Sequence, residues 1–334
     1  MTPPLLGIRD LSVSFATSAG PLTVVDGIDL DIGVGEVVGL VGESGSGKSV
    51  TLRAILRLLG RTAHIGGSIA WQGVDLAQLP EPELRRVRGR EIAMIFQEPM
   101  AALNPVLPIG VQIEESLETH LGLRGRAARA RAAELLTMVG IADAKLRLAA
   151  YPHEFSGGMR QRVMIAIALA AGPKLLLADE PTTALDVTIQ DQILKLLLRL
   201  RRELEMSIVL VTHDLAVVAQ SCDRVAVLYA GRVMEVGPVD EVLRRPAHAY
   251  TLGLIGAVPS SHKPREPLTN IPGSPPSLAA LPQGCRFAPR CSFVEPACLM
   301  GRLEPRALTP AHLSSCLRSE AVLARSKADI GEPA

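Results

Sequence analysis

The stretch Gly42-Glu-Ser-Gly-Ser-Gly-Lys48-Ser49 decides how this chain folds. It fits the pattern G-x-x-x-x-G-K-[ST], and it lies between an apolar run at 36–41 and a segment with helical spacing at 48–59. Glycines let the backbone curl so that successive N–H groups point at one phosphate cluster, and the following helix adds its positive N-terminal end. A plain glycine-rich turn is the alternative, but the flanking patterns favour a strand, a phosphate-binding loop and a helix.

Each residue of this loop is a candidate for holding a nucleotide. Lys48 would reach the β- and γ-phosphates, and Ser49 would coordinate Mg²⁺. The candidate set for ATP comprises Gly42, Glu43, Ser44, Gly45, Ser46, Gly47, Lys48, Ser49 and Val50. A phosphate loop occurs in many enzymes, so it does not by itself identify the activity.

Two carboxylates end the apolar run Leu175-Leu-Leu-Ala-Asp179-Glu180, which is typical of a buried strand. Asp179 suits the Mg²⁺ sphere, and Glu180 would be the base that activates the attacking water. A solvated acidic pair at a strand end would explain these residues in isolation. His213 follows another apolar run, 208–212, and could hold the γ-phosphate and the water with Glu180. A histidine in this position is, on its own, more often structural.

The chain opens with strand patterns. Leu11, Val13 and Phe15 alternate with polar residues, and 22–32 is a second β-rich stretch, so we expect an antiparallel β-subdomain. Further along, short apolar runs alternate with helical stretches, which indicates a mostly parallel sheet flanked by helices. Those runs are 174–178, 207–211 and 224–228.

Composition limits the possible partners of this α/β chain. Lysine and arginine number 35 against 34 acidic residues, so the net charge of +1 gives no electrostatic footprint for nucleic acid. The longest apolar run, 163–173, is shorter than the ~20 residues that a spanning helix needs. Residues 1–10 lack the pattern of an export signal, so we expect the chain to stay in the cytosol.

Residues 246–334 differ from residues 1–245 in composition and periodicity. They hold 13 of the 25 prolines and little periodicity, so we expect an irregular C-terminal extension held by something other than a conventional core. Residues 1–245, before this boundary, form one domain that carries the phosphate loop. Its strand patterns disappear at about 98–171, which indicates a helical subdomain.

The extension carries the cysteine pattern Cys285-x₅-Cys291-x₆-Cys298-x₁₇-Cys316. Four thiolates suit either tetrahedral Zn²⁺ or a [4Fe–4S] cluster, although the close C-x₂-C pairs common in zinc sites are missing. Free thiols or disulfides remain as alternatives, and the cytosol disfavours disulfides. Cys222 stands apart and fits a small buried hydrophobe.

The stretch Phe155-Ser-Gly-Gly-Met-Arg-Gln161 resembles the signature motif of ABC ATPases. Small residues at a helix start expose backbone N–H groups, and Ser156 adds a hydroxyl, so the segment can bind a phosphate. The resemblance implies that Ser156, Gly157, Gly158 and Met159 contact ATP held by the opposite subunit of a head-to-tail dimer. Met159 stands where glutamine is usual, and this variant looks like the peptide-importer branch.

Other segments fall in the order of this family. Gln97 resembles the Q-loop residue that senses Mg²⁺, which would then be held by Ser49, Gln97 and Asp179. The segment Ala184-Leu-Asp186 resembles the D-loop at the dimer interface. Phe15 matches the aromatic residue that stacks on adenine, although an apolar residue on an alternating strand is more often part of a core.

Three further stretches look like the bacterial oligopeptide, dipeptide and nickel importer group: 97–105, 179–190 and 248–251. The resemblance extends over about residues 5 to 320 and includes the extension. Some members of this group are thought to hold a cluster in that extension, so the resemblance favours [4Fe–4S] over zinc at Cys285, Cys291, Cys298 and Cys316.

The resemblance implies an α/β P-loop ATPase of ABC type that powers import of di- or oligopeptides through a multi-subunit transporter. Its partners would be two transmembrane permease subunits, a second ATPase subunit that is either a paralogue or a second copy of this chain, and an extracytoplasmic solute-binding protein. It would lie peripherally on the cytoplasmic face of the inner membrane. Alternatives are import of nickel or another small solute, or a soluble ABC ATPase acting on nucleic acid or ribosomes. A P-loop small-molecule kinase explains neither Ser156-Gly157-Gly158 nor His213.

Overall fold

The structure is a computed structural model of the 334-residue chain that describes residues 3–183, 185–257 and 270–330, with the backbone alone at 327–330. None of the helices within these ranges is long and apolar enough to cross a bilayer. The strands are β1 Leu6–Thr17, β2 Gly20–Ile32, β3 Val37–Val41, β4 Ala63–Trp71, β5 Val74–Asp75, β6 Ile92–Ile95, β7 Leu175–Asp179, β8 Ser207–Val211, β9 Arg224–Tyr229, β10 Arg232–Pro238, β11 Arg306–Thr309 and β12 His312–Ser314. The helices are α1 Lys48–Ile55, α2 Glu81–Val87, α3 Pro99–Ala102, α4 Ile109–Leu121, α5 Gly125–Met138, α6 Ala144–Arg147, α7 Gly157–Leu169, α8 Val187–Glu203, α9 Leu215–Ser221, α10 Val239–Arg244, α11 Ala249–Gly256 and α12 Ser319–Ile330, with 3₁₀ turns at Pro152–Glu154, Ala288–Arg290 and Pro296–Leu299.

The chain forms two compact units, which are described separately. The first unit comprises Met1–Ile32, Val37–Ala77 and Thr212–Ala334, and the second comprises Gly33–Glu36 and Gln78–Val211. Positions 246–257 and 270–330 of the predicted extension fall in the first unit, together with the phosphate loop. The remaining positions of the extension, 258–269 and 331–334, lie outside the described residues.

The first unit begins with an antiparallel sheet in the order β2-β1-β4-β5. Val13 of β1 lies opposite Val25 of β2 and Ile65 of β4, and its side chain is fully buried. The alternation that predicted antiparallel strands is therefore the alternation that buries one face of β1. β4 was not predicted, because its Gly66-Gly67 pair interrupts the β pattern.

The same unit contains the strand order β11-β12-β10-β9-β3, in which β3 and β9 are parallel and the other pairs are antiparallel. The extension is more regular than its composition indicates, because it contributes β11, β12 and α12. It also shares in a hydrophobic core, where Phe287 and Val322 pack with Tyr229 and Tyr250. The expectation that something other than a hydrophobic core holds the extension is therefore wrong. Proline-rich segments with weak periodicity can still bury single aromatic and apolar side chains.

A buried carboxylate joins the extension to β10. The Glu235 side chain is fully buried, and it accepts hydrogen bonds from the backbone N–H groups of Ala247 and His248 at 2.7 and 3.0 Å. Nε2 of His312, on β12, donates to the same carboxylate at 2.7 Å. Because burying an unpaired carboxylate is costly, these three donors fix the start of α11 and the position of β12 against β10.

The second unit contains the parallel strands β8-β7-β6. Every residue of β7 and β8 is buried, as expected for strands covered on both faces. Between β6 and β7 the described residues form helices α3 to α7 and the 3₁₀ turn Pro152–Glu154, in the region where the sequence loses its strand patterns.

The phosphate loop joins β3 to α1 in the first unit, as the sequence predicts, although the helix ends at Ile55 and not at position 59. Gly42 has φ +149°, and a Cβ atom there would lie 2.1 Å from the carbonyl oxygen of Leu228 on β9. Gly45 also has positive φ, +77°, but a Cβ atom there would meet nothing within 4 Å. The loop therefore needs glycine at 42 both for conformation and for space.

These two glycines make a matched pair of variants. Gly42→Ala should lower the free energy of unfolding by about 3 kcal/mol or more, because strain adds to overlap with β9. Gly45→Ala should cost only about 1 kcal/mol, because it meets strain alone. Urea unfolding of the full chain measures both values, and equal losses would contradict the close approach at Leu228.

Candidate nucleotide site

The phosphate loop of the first unit surrounds a buried ammonium group. The Lys48 side chain donates from Nζ to the carbonyl oxygens of Gly42 and Glu43, at 2.7 and 2.9 Å, and to Oγ of Ser46 at 3.4 Å. Lys48 is 5% exposed, while Ser49 and Val50 at the start of α1 are half-buried. The loop therefore folds around the group expected to meet the β- and γ-phosphates.

Glu43 of this loop has partners that sequence reasoning missed. Its carboxylate forms a two-point ion pair with Arg290, and its backbone N–H donates to Oη of Tyr250 at 2.8 Å. These partners are 247 and 207 residues away along the chain. No local pattern could have identified them, because Arg290 lies in a segment without clear periodicity.

The remaining candidates of the first unit are Phe15 and His213. Phe15 is half-buried on β1, opposite Leu22 and Ala63. His213 is exposed and lies directly before Asp214, whose carboxylate caps α9 by accepting from Ala216 N–H at 2.7 Å. His213 thus lies at the surface of the first unit.

Asp179 and Glu180 lie at the carboxyl end of β7 in the second unit. Asp179 is completely buried. Glu180 has φ +47°, a left-handed conformation that is uncommon outside glycine and is concentrated at functional sites. Nε2 of Gln97 donates to Oε2 of Glu180 at 3.3 Å, and Oγ1 of Thr183 donates to the same oxygen at 2.7 Å.

The structure therefore brings together two residues that the sequence singled out separately, Gln97 and Glu180. It adds Thr183, which was not predicted as a site residue. Hydrogen-bond donors on one carboxylate oxygen fix the direction of the whole group, which is what a base needs to hold a water molecule in one place.

The segment that resembles the ABC signature begins α7 in the second unit. Ser156 is the N-cap, and its Oγ accepts from the Met159 N–H at 3.3 Å. Gly157 and Gly158 form the first turn, and a Cβ atom on Gly158 would lie 2.7 Å from the Ile189 side chain of α8. The glycine is needed for close packing of α7 on α8, and the free N–H groups of the helix start are the groups that bind anions.

Asp186 is the N-cap of α8, and its carbonyl oxygen accepts from Gln190 N–H at 2.9 Å. Ala184, which precedes it in the predicted D-loop, lies outside the described residues. The candidate residues divide between the two units. The first contains Phe15, Gly42 to Val50 and His213, and the second contains Gln97, Ser156 to Met159, Asp179, Glu180 and Asp186.

The four cysteines of the extension line one small cavity, together with His248. Two of the sulfur atoms accept backbone N–H bonds at 3.3 Å, Cys291 from Phe293 and Cys316 from Arg318. Burial raises the pKa of the Cys285 thiol to about 11. Within the described residues, however, no three His, Cys, Asp or Glu side chains are arranged as a metal site. By its chemistry alone, a set of four sulfur atoms fits a soft metal or cluster.

His248 is one of the polar residues that line this cavity. Its Nδ1 accepts from Tyr250 N–H at 3.0 Å, so its proton lies on Nε2, which is 4.0 Å from Sγ of Cys285. Complete burial lowers the pKa of His248 to about 4, so the ring is neutral. Cys222 is remote from this group in sequence and packs in the hydrophobic core, where burial raises its pKa to about 12. This agrees with its interpretation as a small hydrophobe.

Comparison with known proteins agrees with this geometry. The profile of the family "ABC transporter" matches residues 25–183, and that of "Oligopeptide/dipeptide transporter, C-terminal region" matches residues 234–298. The second match includes Cys285, Cys291 and Cys298 but ends before Cys316.

Curated relatives cover most of the chain. A "putative peptide import ATP-binding protein" of Brucella abortus is 53% identical over 299 residues, which are 89% of this chain and 90% of the relative. The "oligopeptide transport ATP-binding protein OppD" of Haemophilus influenzae is 47% identical over 309 residues, which are 92% of this chain and 95% of the relative.

Solved structures show the same fold. The dimeric post-hydrolysis state of the ATP-binding cassette MJ0796, bound to ADP and Pi, is 31% identical with a TM-score of 0.63, and the match covers 70% of this chain and 98% of that one. CbiO1 of Clostridium perfringens, part of the ABC transporter complex cbiONQ, is 29% identical with a TM-score of 0.61, covering 72% of this chain and 90% of that one. With its phosphate loop, its oriented Glu180 and its signature helix, the chain belongs to the ABC transporter family, among the ATP-binding proteins of oligopeptide and dipeptide import.

Proposed function

We propose that this chain is the ATP-hydrolysing subunit that powers import of di- or oligopeptides through a multi-subunit ABC transporter. The observation that carries the ATPase part is the carboxylate of Glu180, held by Gln97 and Thr183 at the end of β7. The peptide part is supported by the relatives, whose names describe peptide import and oligopeptide transport.

Each candidate residue has a defined task in this chemistry. Lys48 and the loop N–H groups bind the phosphates, and Phe15 contacts the adenine. Ser49, Gln97 and Asp179 are the oxygen donors for Mg²⁺, which when bound neutralises charge on the β- and γ-phosphates. Glu180 takes the proton of the attacking water, and His213 donates to the γ-phosphate.

The remaining contacts come from a second subunit. Ser156, Gly157, Gly158 and Met159 at the start of α7 bind ATP held by the partner, and Asp186 lies at the same interface. The dimeric state of the solved cassette supports this arrangement. The partner subunit is a paralogue, and closure of the two on ATP moves two permease subunits, which receive peptide from an extracytoplasmic binding protein. The chain works peripherally on the cytoplasmic face of the membrane.

The extension holds a [4Fe–4S] cluster on Cys285, Cys291, Cys298 and Cys316. The observations behind this proposal are the four sulfur donors that line one cavity and the backbone N–H bonds to two of them. The Cys285 N–H also donates to the Cys298 carbonyl oxygen at 2.8 Å, which holds two of the donors at a fixed separation. The function of the cluster is structural or redox-sensing, and Zn²⁺ is the alternative occupant.

The ATPase proposal is tested by Glu180→Gln in the reconstituted transporter. ATP binding should remain, while turnover should fall roughly 10²- to 10⁴-fold, because an amide cannot accept the proton of the water. Glu203→Gln, a change of the same kind on the exposed end of α8, should leave turnover unchanged. Full turnover in the Glu180 variant would remove this residue from the mechanism.

The cluster proposal is tested by anaerobic purification with analysis of iron, sulfide and zinc. The wild type should be brown and contain iron and sulfide, and Cys291→Ser with Cys316→Ser should abolish both. Cys222→Ser is the control and should keep the colour. A colourless chain with zinc would identify Zn²⁺ as the occupant, and a metal-free wild type would refute both metal proposals.

A further inference from the structure

Two arginines of the extension reach into the nucleotide-binding part of the first unit. Both lie between Cys285 and Cys291, in and beside the 3₁₀ turn Ala288–Arg290. Arg286 donates to the carbonyl oxygen of Ala230 and pairs with Asp26 of β2. Arg290 points instead to the phosphate loop.

Arg290 forms a fixed, two-point contact with Glu43. Nη1 lies 2.6 Å from Oε2 and Nη2 lies 3.0 Å from Oε1, the bidentate geometry that arginine makes with carboxylates. The Arg290 side chain is 5% exposed and that of Glu43 is 26% exposed, so solvent screens this pair only in part.

The guanidinium is held from other sides as well. Its Nε donates to the carbonyl oxygen of Pro272 at 2.8 Å, and Nη1 lies 3.2 Å from Oη of Tyr229. The same group lies over the rings of Tyr229 and Phe287, 5.8 and 5.9 Å from their centroids. A guanidinium fixed on this many sides cannot turn away from Glu43 without breaking core contacts.

Glu43 is therefore fixed twice by residues from far along the chain. Its backbone N–H donates to Tyr250 of α11, and its side chain accepts from Arg290. The next contact along the loop is that of Lys48, whose Nζ binds the Glu43 carbonyl oxygen. The conformation of the loop around Lys48 thus depends on two residues outside the sequence motif.

Charge gives this pair a functional consequence. Glu43 places a carboxylate in the loop that receives a triphosphate, and an uncompensated negative charge there would repel it. Arg290 neutralises that charge through its two-point contact, because a guanidinium in a protein is always positively charged.

We propose that Arg290 is a positioning residue for ATP binding: it neutralises Glu43 and holds the phosphate loop in its binding conformation, so that the cysteine-bearing extension controls nucleotide affinity. This inference rests on the ATP site proposed above. It assigns to the extension an effect on ATP that does not require the metal.

The test is MgATP affinity of the full chain, measured by calorimetry for four variants, with thermal unfolding as a check on folding. Arg290→Gln should weaken MgATP binding about tenfold, because Glu43 is left uncompensated. Glu43→Gln alone should change MgATP affinity less, because it removes the negative charge that would repel the phosphates. The double variant Glu43→Gln with Arg290→Gln should recover most of the affinity, which a merely structural role for Arg290 would not produce.

The matched control is Arg302→Gln. Arg302 also belongs to the extension and approaches Asp26 at 3.8 Å, but it has no contact with the loop among the described residues. It should bind MgATP like the wild type. Should Arg290→Gln fail to fold, Arg290→Lys keeps the charge without the two-point geometry and should weaken binding a few-fold.

The outcomes separate the two proposals. Equal MgATP affinity in Arg290→Gln and Arg302→Gln, or a double variant as weak as Arg290→Gln, would overturn the role of Arg290 and leave the ATPase proposal standing. Failure of both the wild type and Arg302→Gln to bind MgATP would remove the ATP site itself.

Discussion

Close packing between the phosphate loop and β9 is the constraint on which the first unit depends. Gly42 lies so near to the Leu228 carbonyl oxygen that no side chain fits, and β9 in turn pairs with β3 on one side and β10 on the other. The loop that carries Lys48 is thus built against the strand that supports the extension. The phosphate loop packs against β9, and the extension pairs with β10 through β12. Because β9 and β10 are adjacent antiparallel strands, both parts are supported by the same sheet.

The second unit contains a carboxylate held in one orientation, that of Glu180, the residue we propose as the base. Glu180 adopts a left-handed backbone conformation directly after β7, which costs of order 1–3 kcal/mol. Hydrogen bonds from Gln97 and Thr183 hold its carboxylate. The strained backbone lowers local stability, while the hydrogen bonds fix the orientation of the carboxylate. Local strain of this kind is expected at functional sites.

Besides its share in the hydrophobic core, the extension is attached by buried or partly buried ionic groups. Glu235 accepts bonds from two backbone N–H groups and from His312, Arg286 pairs with Asp26, and Arg290 pairs with Glu43. Pairs of this kind contribute little net stability, because desolvation offsets their attraction, but they are strongly unfavourable when misaligned. They favour a single position for the cysteine cavity relative to the phosphate loop.

The sequence by itself determined the local features: the loop from Gly42 to Ser49, the apolar strand that ends at Asp179, the helix start at Ser156 and the antiparallel opening of the chain. Each of these features is formed by residues that are adjacent in the sequence, so periodicity and spacing predict it directly. Only the tertiary structure decided that Arg290 pairs with Glu43, that Thr183 orients Glu180, and that β12 pairs with β10. Two of these contacts join residues that are far apart in the sequence, and the third depends on the direction in which a side chain points. The free energy gained from a buried contact between distant residues does not affect the local sequence pattern, so the pattern cannot predict such a contact.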